Sequence, residues 1–226
     1  MNCKICGGSG WIIENKSGER KAVRCKCQFE KFKKIYLESS GIPLRYRLCK
    51  FSNYEPQTID QLRALYECRE FFYLFPFVKG GILLYGPPGT GKTHLASATL
   101  RNIIEYKGLR GLFYDFRTLL IDIKTTFDTN ESSYEVLEPV LKTPLLVLDD
   151  VGAERNTEWA RDILATIINY RYVNSLPTII TTNLRFEVST DESFASKFDE
   201  RTESRIYEMC KIIKVDGDDR RKKSSL

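Results

Sequence analysis

The segment Gly86-Pro87-Pro88-Gly89-Thr90-Gly91-Lys92-Thr93 sets glycines, a lysine and a hydroxyl in the spacing G-x-x-x-x-G-K-T. Glycines let consecutive backbone N–H groups curl around phosphate oxygens. An apolar run, Gly81-Ile-Leu-Leu-Tyr85, precedes the loop, and a helical pattern over 92–106 follows it. That order sets the positive end of a helix dipole against an anion. Lys92 is expected to reach the β and γ phosphates, and the Thr93 hydroxyl to ligate Mg²⁺. The expected ligand is ATP or ADP. His94, the single histidine, follows the loop at the edge of the same site, where packing or positioning suits it better than catalysis.

Two further runs end in polar groups. Leu145-Leu-Val-Leu-Asp149-Asp150 reads as a buried parallel strand whose tip meets the ligand. Asp149 is placed to hold Mg²⁺, directly or through water, and Asp150 to orient or deprotonate an attacking water. Glu154 lies near the same edge, with a structural role the stronger expectation. A third strand, Pro177–Thr182, ends at Asn183, which could hold the lytic water. Thr and Asn also simply favour such positions.

Four of the seven cysteines form two close pairs, Cys3-x-x-Cys6 and Cys25-x-Cys27. Such pairs can close a tetrahedron of thiolates around zinc, structural because no position stays open for water. The pattern predicts short strands over 10–13 and 21–24, joined by a turn at 15–18. So small a hairpin needs a metal in place of a core. Cys49, Cys68 and Cys210 read as small buried hydrophobes.

The remaining elements serve as scaffold. Periodicity predicts a helix over 29–38, with Phe29, Phe32, Ile35 and Tyr36 as its packing stripe. A helix over 58–75 carries Ile59, Leu62, Leu65, Tyr66, Phe72 and Phe75, read as core. Segment 125–134 reads as a polar loop; Lys124, Phe127 and Tyr134 could alternatively touch nucleic acid. Residues 220–226 read as a flexible basic tail.

The chain has 226 residues, 42% hydrophobic and 29% charged, enough to bury a core and too apolar for wholesale disorder. No apolar run approaches the ~20 residues that span a bilayer, and no secretory signal opens the sequence, so a soluble, cytoplasmic, non-membrane protein is expected. Residues 1–50 hold 12 basic and 4 acidic side chains, while the rest carries a slight acidic excess. That asymmetry suggests an anionic partner, nucleic acid first.

Taken together, Gly86–Thr93, Leu145–Asp150 with Val-Gly-Ala-Glu154 after it, and Ile179-Ile-Thr-Thr-Asn183 resemble AAA+ ATPases. The wording GKTHLA and LLVLDDVGAE is similar to DnaC/DnaI-type bacterial helicase loaders and the related IstB transposition helpers. The cysteine cluster, Ser40-Gly-Ile-Pro43 and Arg47–Phe51 look like the loader branch. The resemblance implies a P-loop NTPase three-layer α/β sandwich with a five-stranded parallel sheet of order 5-1-4-3-2. Its strands fall near 81–85, 112–116, 145–149, 178–182 and 211–215. Helices fall near 92–106, 116–127, 134–141, 157–173 and 194–209. It implies a zinc-binding, partner-docking region over 1–50 and an ATPase domain over 51–226 without a full lid. Arg205 matches a finger that reaches a neighbouring subunit's γ-phosphate, so self-association is implied. Arg220 matches a second sensor that touches nucleotide within its own subunit. Asp149-Asp150 departs from the Asp-Glu of many AAA+ motors, which implies slow, switch-like turnover.

The function implied is ATP-dependent loading of the replicative hexameric helicase onto single-stranded DNA. The alternatives are an IstB-like transposition helper, a zinc-dependent adaptor with a nucleotide switch and no turnover, and a solitary P-loop kinase. The kinase is disfavoured by the paired arginines, the zinc arm and the lack of an acceptor motif.

Overall fold

The computed structural model describes residues 3–16, 19–128, 132–155, 157–186 and 193–223. The chain opens with an antiparallel hairpin, β1 (Trp11–Lys16) and β2 (Glu19–Arg24), paired from Trp11↔Arg24 to Lys16↔Glu19. Both strands run longer than the cysteine spacing predicts, because Asn15 and Lys16 join the ladder instead of the turn. The turn residues 17–18 lie outside the described ones. Helix α1 (Lys26–Glu38) follows. Phe29 sits over Gly108, Phe32 stacks on Tyr36, and Tyr36 and Leu37 reach the main core. Ile35, expected in that stripe, is exposed instead.

After α2 (Ile59–Leu74), five strands form the central sheet: β3 (Gly81–Tyr85), β4 (Leu112–Asp115), β5 (Leu146–Val151), β6 (Thr178–Thr182) and β7 (Cys210–Lys214). Their order is β4-β5-β6-β3-β7, and every pairing is parallel. Numbered within the sheet and read from its other edge, this is the expected 5-1-4-3-2. β3 and β6 are buried along their whole length, as strands covered on both faces must be.

Alternation divides the core into two layers. Ile82 and Leu84 join Val147, Ile179 and Ile213 under α2 and α3 (Lys92–Asn102). Leu83 joins Leu146, Leu148 and Ile180 on the opposite face. That face is covered by α4 (Phe116–Thr125), α5 (Ser133–Lys142), α6 (Glu158–Val173) and α8 (Glu200–Met209). The result is a three-layer α/β sandwich with the loop Gly86–Thr93 and the tips of β5 and β6 at the carboxyl ends of the strands. Cys49, Cys68 and Cys210 are buried, as read from sequence.

Three helical expectations need correction. The predicted helix over 194–209 is two pieces, α7 (Phe194–Lys197) and α8. Asp199 separates them, because its carboxylate accepts from the Thr202 N–H and hydroxyl and starts a new helix. On α2, Leu65 and Phe75 are buried and Phe72 packs at the edge, but Ile59, Leu62 and Tyr66 are exposed. The helix is apolar around more of its circumference than its contacts with α3, β3 and β7 cover. The basic stretch after β7 is also ordered at its start: Arg220–Lys223 forms a helical turn, α9. Residues 224–226 and 129–131, the latter inside the predicted polar loop, lie outside the described residues.

Among the described residues Arg171, on α6, is the largest fully buried side chain. It donates to the carbonyls of Val140, Leu141, Thr143 and Pro177 and to the Thr178 hydroxyl, at 2.7–3.1 Å. One guanidinium thus satisfies the open C-terminal carbonyls of α5 and ties them to β6. Among the described residues no helix is long and apolar enough to cross a membrane.

Candidate nucleotide site and cysteine cluster

The loop between β3 and α3 follows from its glycines. Gly86 has φ 143, and a Cβ there would stand 2.3 Å from the Val215 carbonyl oxygen. Gly91, at φ 99, caps α3 in the left-handed region, with the Tyr54 ring where a side chain would go. Tyr54 closes over the loop and donates its hydroxyl to the Thr90 carbonyl at 3.2 Å.

A cleft of about 570 Å³ opens above this loop. Pro88, Gly89, Gly91, Lys92, Thr93 and His94 line it from one side. Asp149, Asp150, Thr181 and Asn183 line it from the tips of β5 and β6, and Arg220 and Arg221 from α9. Lys92 is buried, and its ammonium donates to the Gly86 carbonyl at 2.8 Å, the Pro87 carbonyl at 2.7 Å and Asn183 Oδ1 at 2.8 Å. The Asn183 amide donates in turn to Asp150 Oδ1 at 3.0 Å. Thr93 and Asp149 line the same cleft, and the Thr93 hydroxyl is near enough to favour the charged form of the Asp149 carboxyl, so the two expected Mg²⁺ ligands share one site.

Burial sets the electrostatics. It raises the Asp149 carboxyl to about 6, against the opposing pull of the Thr181 and Thr93 hydroxyls. Burial lowers the Lys92 ammonium to about 8, with Asp150 and Asp149 opposing. A divalent cation beside Asp149 and phosphate oxygens beside Lys92 would relieve both costs. The hydroxyl–carboxylate pair is a hard oxygen donor set that fits Mg²⁺.

His94 sits where packing explains it: its Nε2 is 3.0 Å from the Lys50 carbonyl and its ring lies 5.3 Å from that of Tyr54. Burial holds its pKa below the ordinary value. Arg220 stacks 4.4 Å from the Tyr54 ring centroid and donates to Gln61 Oε1 at 2.7 Å. Glu154 is a brace. Its carboxylate accepts the Gly152 N–H at 3.0 Å and pairs with Lys197 at 3.5 Å. Arg205 lies outside the cleft on α8, its guanidinium 5.9 Å over the Tyr172 ring.

Sequence reasoning missed Tyr54, Asp115, Thr181, Arg221 and the turn Pro43–Tyr46, all at this cleft. Arg45 belongs to the basic N-terminal fifth, which was a usable signal. Tyr54 is a loop aromatic 36 residues before its partner Thr90, and nothing local marks it.

At the other end, Cys3, Cys6, Cys25 and Cys27 bring their sulfurs within 4.8 Å of one another. Cys3 and Cys25 are 3.8 Å apart, Cys6 and Cys27 3.5 Å. Four sulfurs about 2.3 Å from a tetrahedral zinc lie about 3.8 Å from each other, so the donor set fits that ion. The Gly10 N–H points at Cys6 Sγ from 3.3 Å, as a thiolate favours.

Fold and site together define a P-loop nucleotide-binding protein of the AAA+ class. The family model described as IstB-like ATP binding protein matches residues 43–226, and the chain belongs to that family. It is 30% identical over 208 residues to the uncharacterized protein YqaM of Bacillus subtilis, a match covering 86% of this chain and 64% of that protein. It is 29% identical over 152 residues to the replicative helicase loader DnaC of Escherichia coli K12, covering 67% of this chain and 62% of DnaC. The chain thus spans less than two thirds of the length of either relative. A crystal structure of the DnaC helicase loader superposes with TM-score 0.70 at 39% identity, covering 77% of this chain and all of that one. These resemblances place the chain with the DnaC-type AAA+ proteins of the family.

Proposed function

We propose that this protein is an Mg²⁺-dependent ATPase that loads a replicative hexameric helicase onto single-stranded DNA, with nucleotide state as the switch. The observation that carries this is the convergence of Lys92, Thr93, Asp149, Asp150 and Asn183 on one cleft in a chain so similar to DnaC. Lys92 exchanges the Gly86 and Pro87 carbonyls for the phosphates of ATP. Thr93 and Asp149 would hold Mg²⁺, which when bound would supply charge neutralisation at the phosphates. Asp150 orients the attacking water, and Asn183 stands between that acid and Lys92, within reach of the γ-phosphate. Arg220 touches nucleotide within the subunit.

Arg205, outside the cleft, serves a neighbouring copy, so turnover is slow until subunits assemble. The cysteine cluster holds structural zinc and stiffens residues 1–50 to grip the helicase, while residues 51–226 form the ATPase. Co-purification with the host replicative helicase, with and without ATP, tests this reading. Recovery of a transposase and no helicase would instead support the IstB-like transposition role. No hydrolysis with DNA and helicase present would leave an adaptor with a nucleotide switch.

A further inference from the structure

β5 and β6 run in register to Leu148↔Ile180 and resume at Val151↔Thr182. Asp149 and Asp150 therefore stand opposite Thr181 alone, a two-for-one bulge. In an unbroken strand, consecutive side chains leave opposite faces of the sheet. Only one of the two acids would then reach the cleft, yet here both line it. The bulge holds Asp150 at φ 55, in the left-handed region that a non-glycine residue keeps only when its surroundings enforce it.

Thr181 supplies that enforcement. It is buried, and its hydroxyl donates to Asp149 Oδ1 at 2.6 Å while accepting the Asp150 N–H at 2.9 Å. A hydroxyl has one proton to give, and here it goes to the first acid, while a lone pair takes the backbone of the second. No apolar side chain of the same shape can do either. Two residues on, Asn183 holds the Asp150 carboxylate. The tip of β6 thus fixes the backbone and the side chain of Asp150 separately.

We infer that Thr181 is a positioning residue for phosphoryl transfer, its hydroxyl fixing the bulge that turns Asp149 and Asp150 into the same cleft. The inference rests on the ATPase reading above. Thr181→Val keeps the β-branched shape, and Thr181→Ser keeps the hydroxyl. In the full chain with single-stranded DNA, Thr181→Val should lower kcat about tenfold or more while KM for ATP stays within about threefold. Thr181→Ser should restore most of kcat.

A second measurement does not depend on turnover. Binding of a fluorescent ATP analogue in EDTA should be unchanged in Thr181→Val, while the Mg²⁺ concentration that half-maximally tightens it rises severalfold. Unchanged kcat and unchanged Mg²⁺ dependence in Thr181→Val would overturn the inference, as would a serine variant as impaired as the valine one. Loss of analogue binding in EDTA would also overturn it, by showing that the residue holds up the cleft as a whole. If the wild-type protein hydrolyses no ATP, the ATPase reading fails on its own, and the Mg²⁺ titration still decides the part played by Thr181.

Discussion

Replacing Asp149 by asparagine should make the protein more stable while removing its response to Mg²⁺. The carboxyl is 7% exposed, and burial raises its pKa from 3.8 to about 6. A folded-state value above the unfolded one means that the folded chain binds the proton more tightly. At neutral pH the ionised group therefore works against folding, by about 3 kcal/mol for a gap of about two pH units. The penalty is absent below the unfolded value, grows as pH rises from about 4, and is complete above about 6. The asparagine side chain would carry no charge, and its Oδ1 would still accept the Thr181 hydroxyl. Allowing for a poorer contact with Thr93, a gain of roughly 1–3 kcal/mol should remain, a rise in Tm of roughly 3–8 °C for a chain of this size. The assay is thermal unfolding in EDTA without nucleotide. From pH 7.5 to pH 5 the gap between variant and wild type should narrow by roughly 1.4 kcal/mol. Adding Mg²⁺ and ATP should then raise the wild-type Tm well beyond that of Asp149→Asn. A variant no more stable than wild type at pH 7.5, or a gap equal at both pH values, would refute the assignment of the burial cost to this carboxyl.

Lys92→Ala should abolish nucleotide binding, measured by calorimetry with Mg-ATP; tight binding by that variant would contradict the site. Arg205→Ala should leave ATP affinity unchanged and remove the hydrolysis stimulated by assembly, so stimulated turnover at the wild-type rate would count against a role in trans. Cys6→Ser should lower bound zinc below one ion per chain, read by metal analysis, and weaken helicase capture while ATP-analogue binding persists; a full complement of zinc would remove Cys6 from the ligand set. Arg171→Met should destabilise the protein by about 3–5 kcal/mol in chemical denaturation, since four buried carbonyls lose their donor; a loss under about 1 kcal/mol would show that those carbonyls find other partners.

The central sheet was legible because its strands are apolar runs broken by loops whose chemistry forces a turn, and parallel strands covered on both faces must read that way. Gly86–Thr93 was legible for a related reason: backbone curvature and phosphate contact constrain consecutive residues, and consecutive constraints leave a pattern. The cysteine pairs were legible because gathering four sulfurs at the foot of a short hairpin fixes the spacing. What escaped was set by contacts distant in sequence. Arg171 looks like any helical arginine until α5 and β6 close around it. The α2 stripe shows the opposite failure, since periodicity reports which side of a helix is apolar and not whether a neighbour covers it. Tyr54 and Arg220 approach from opposite ends of the domain and meet only once the sheet is assembled.

The same distinction explains why Asp149 and Asp150 could be named from sequence but not aimed. A reading by alternation sends the second acid away from the first, and a reading by motif puts both at the ligand without saying how. The reconciling element is a single inserted residue in β5, held by a hydroxyl on β6. Its cost lies in the left-handed backbone of Asp150 and in the buried charge of Asp149. Lys92 carries a burial cost as well, on a charge of the opposite sign. These groups do not cancel by pairing directly, because Asn183 stands between Lys92 and Asp150. A cation alone would relieve Asp149 and leave Lys92 buried among carbonyls. A triphosphate alone would relieve Lys92 and add repulsion at the two acids. Only both together satisfy the cleft, so metal and nucleotide should bind with strong mutual coupling.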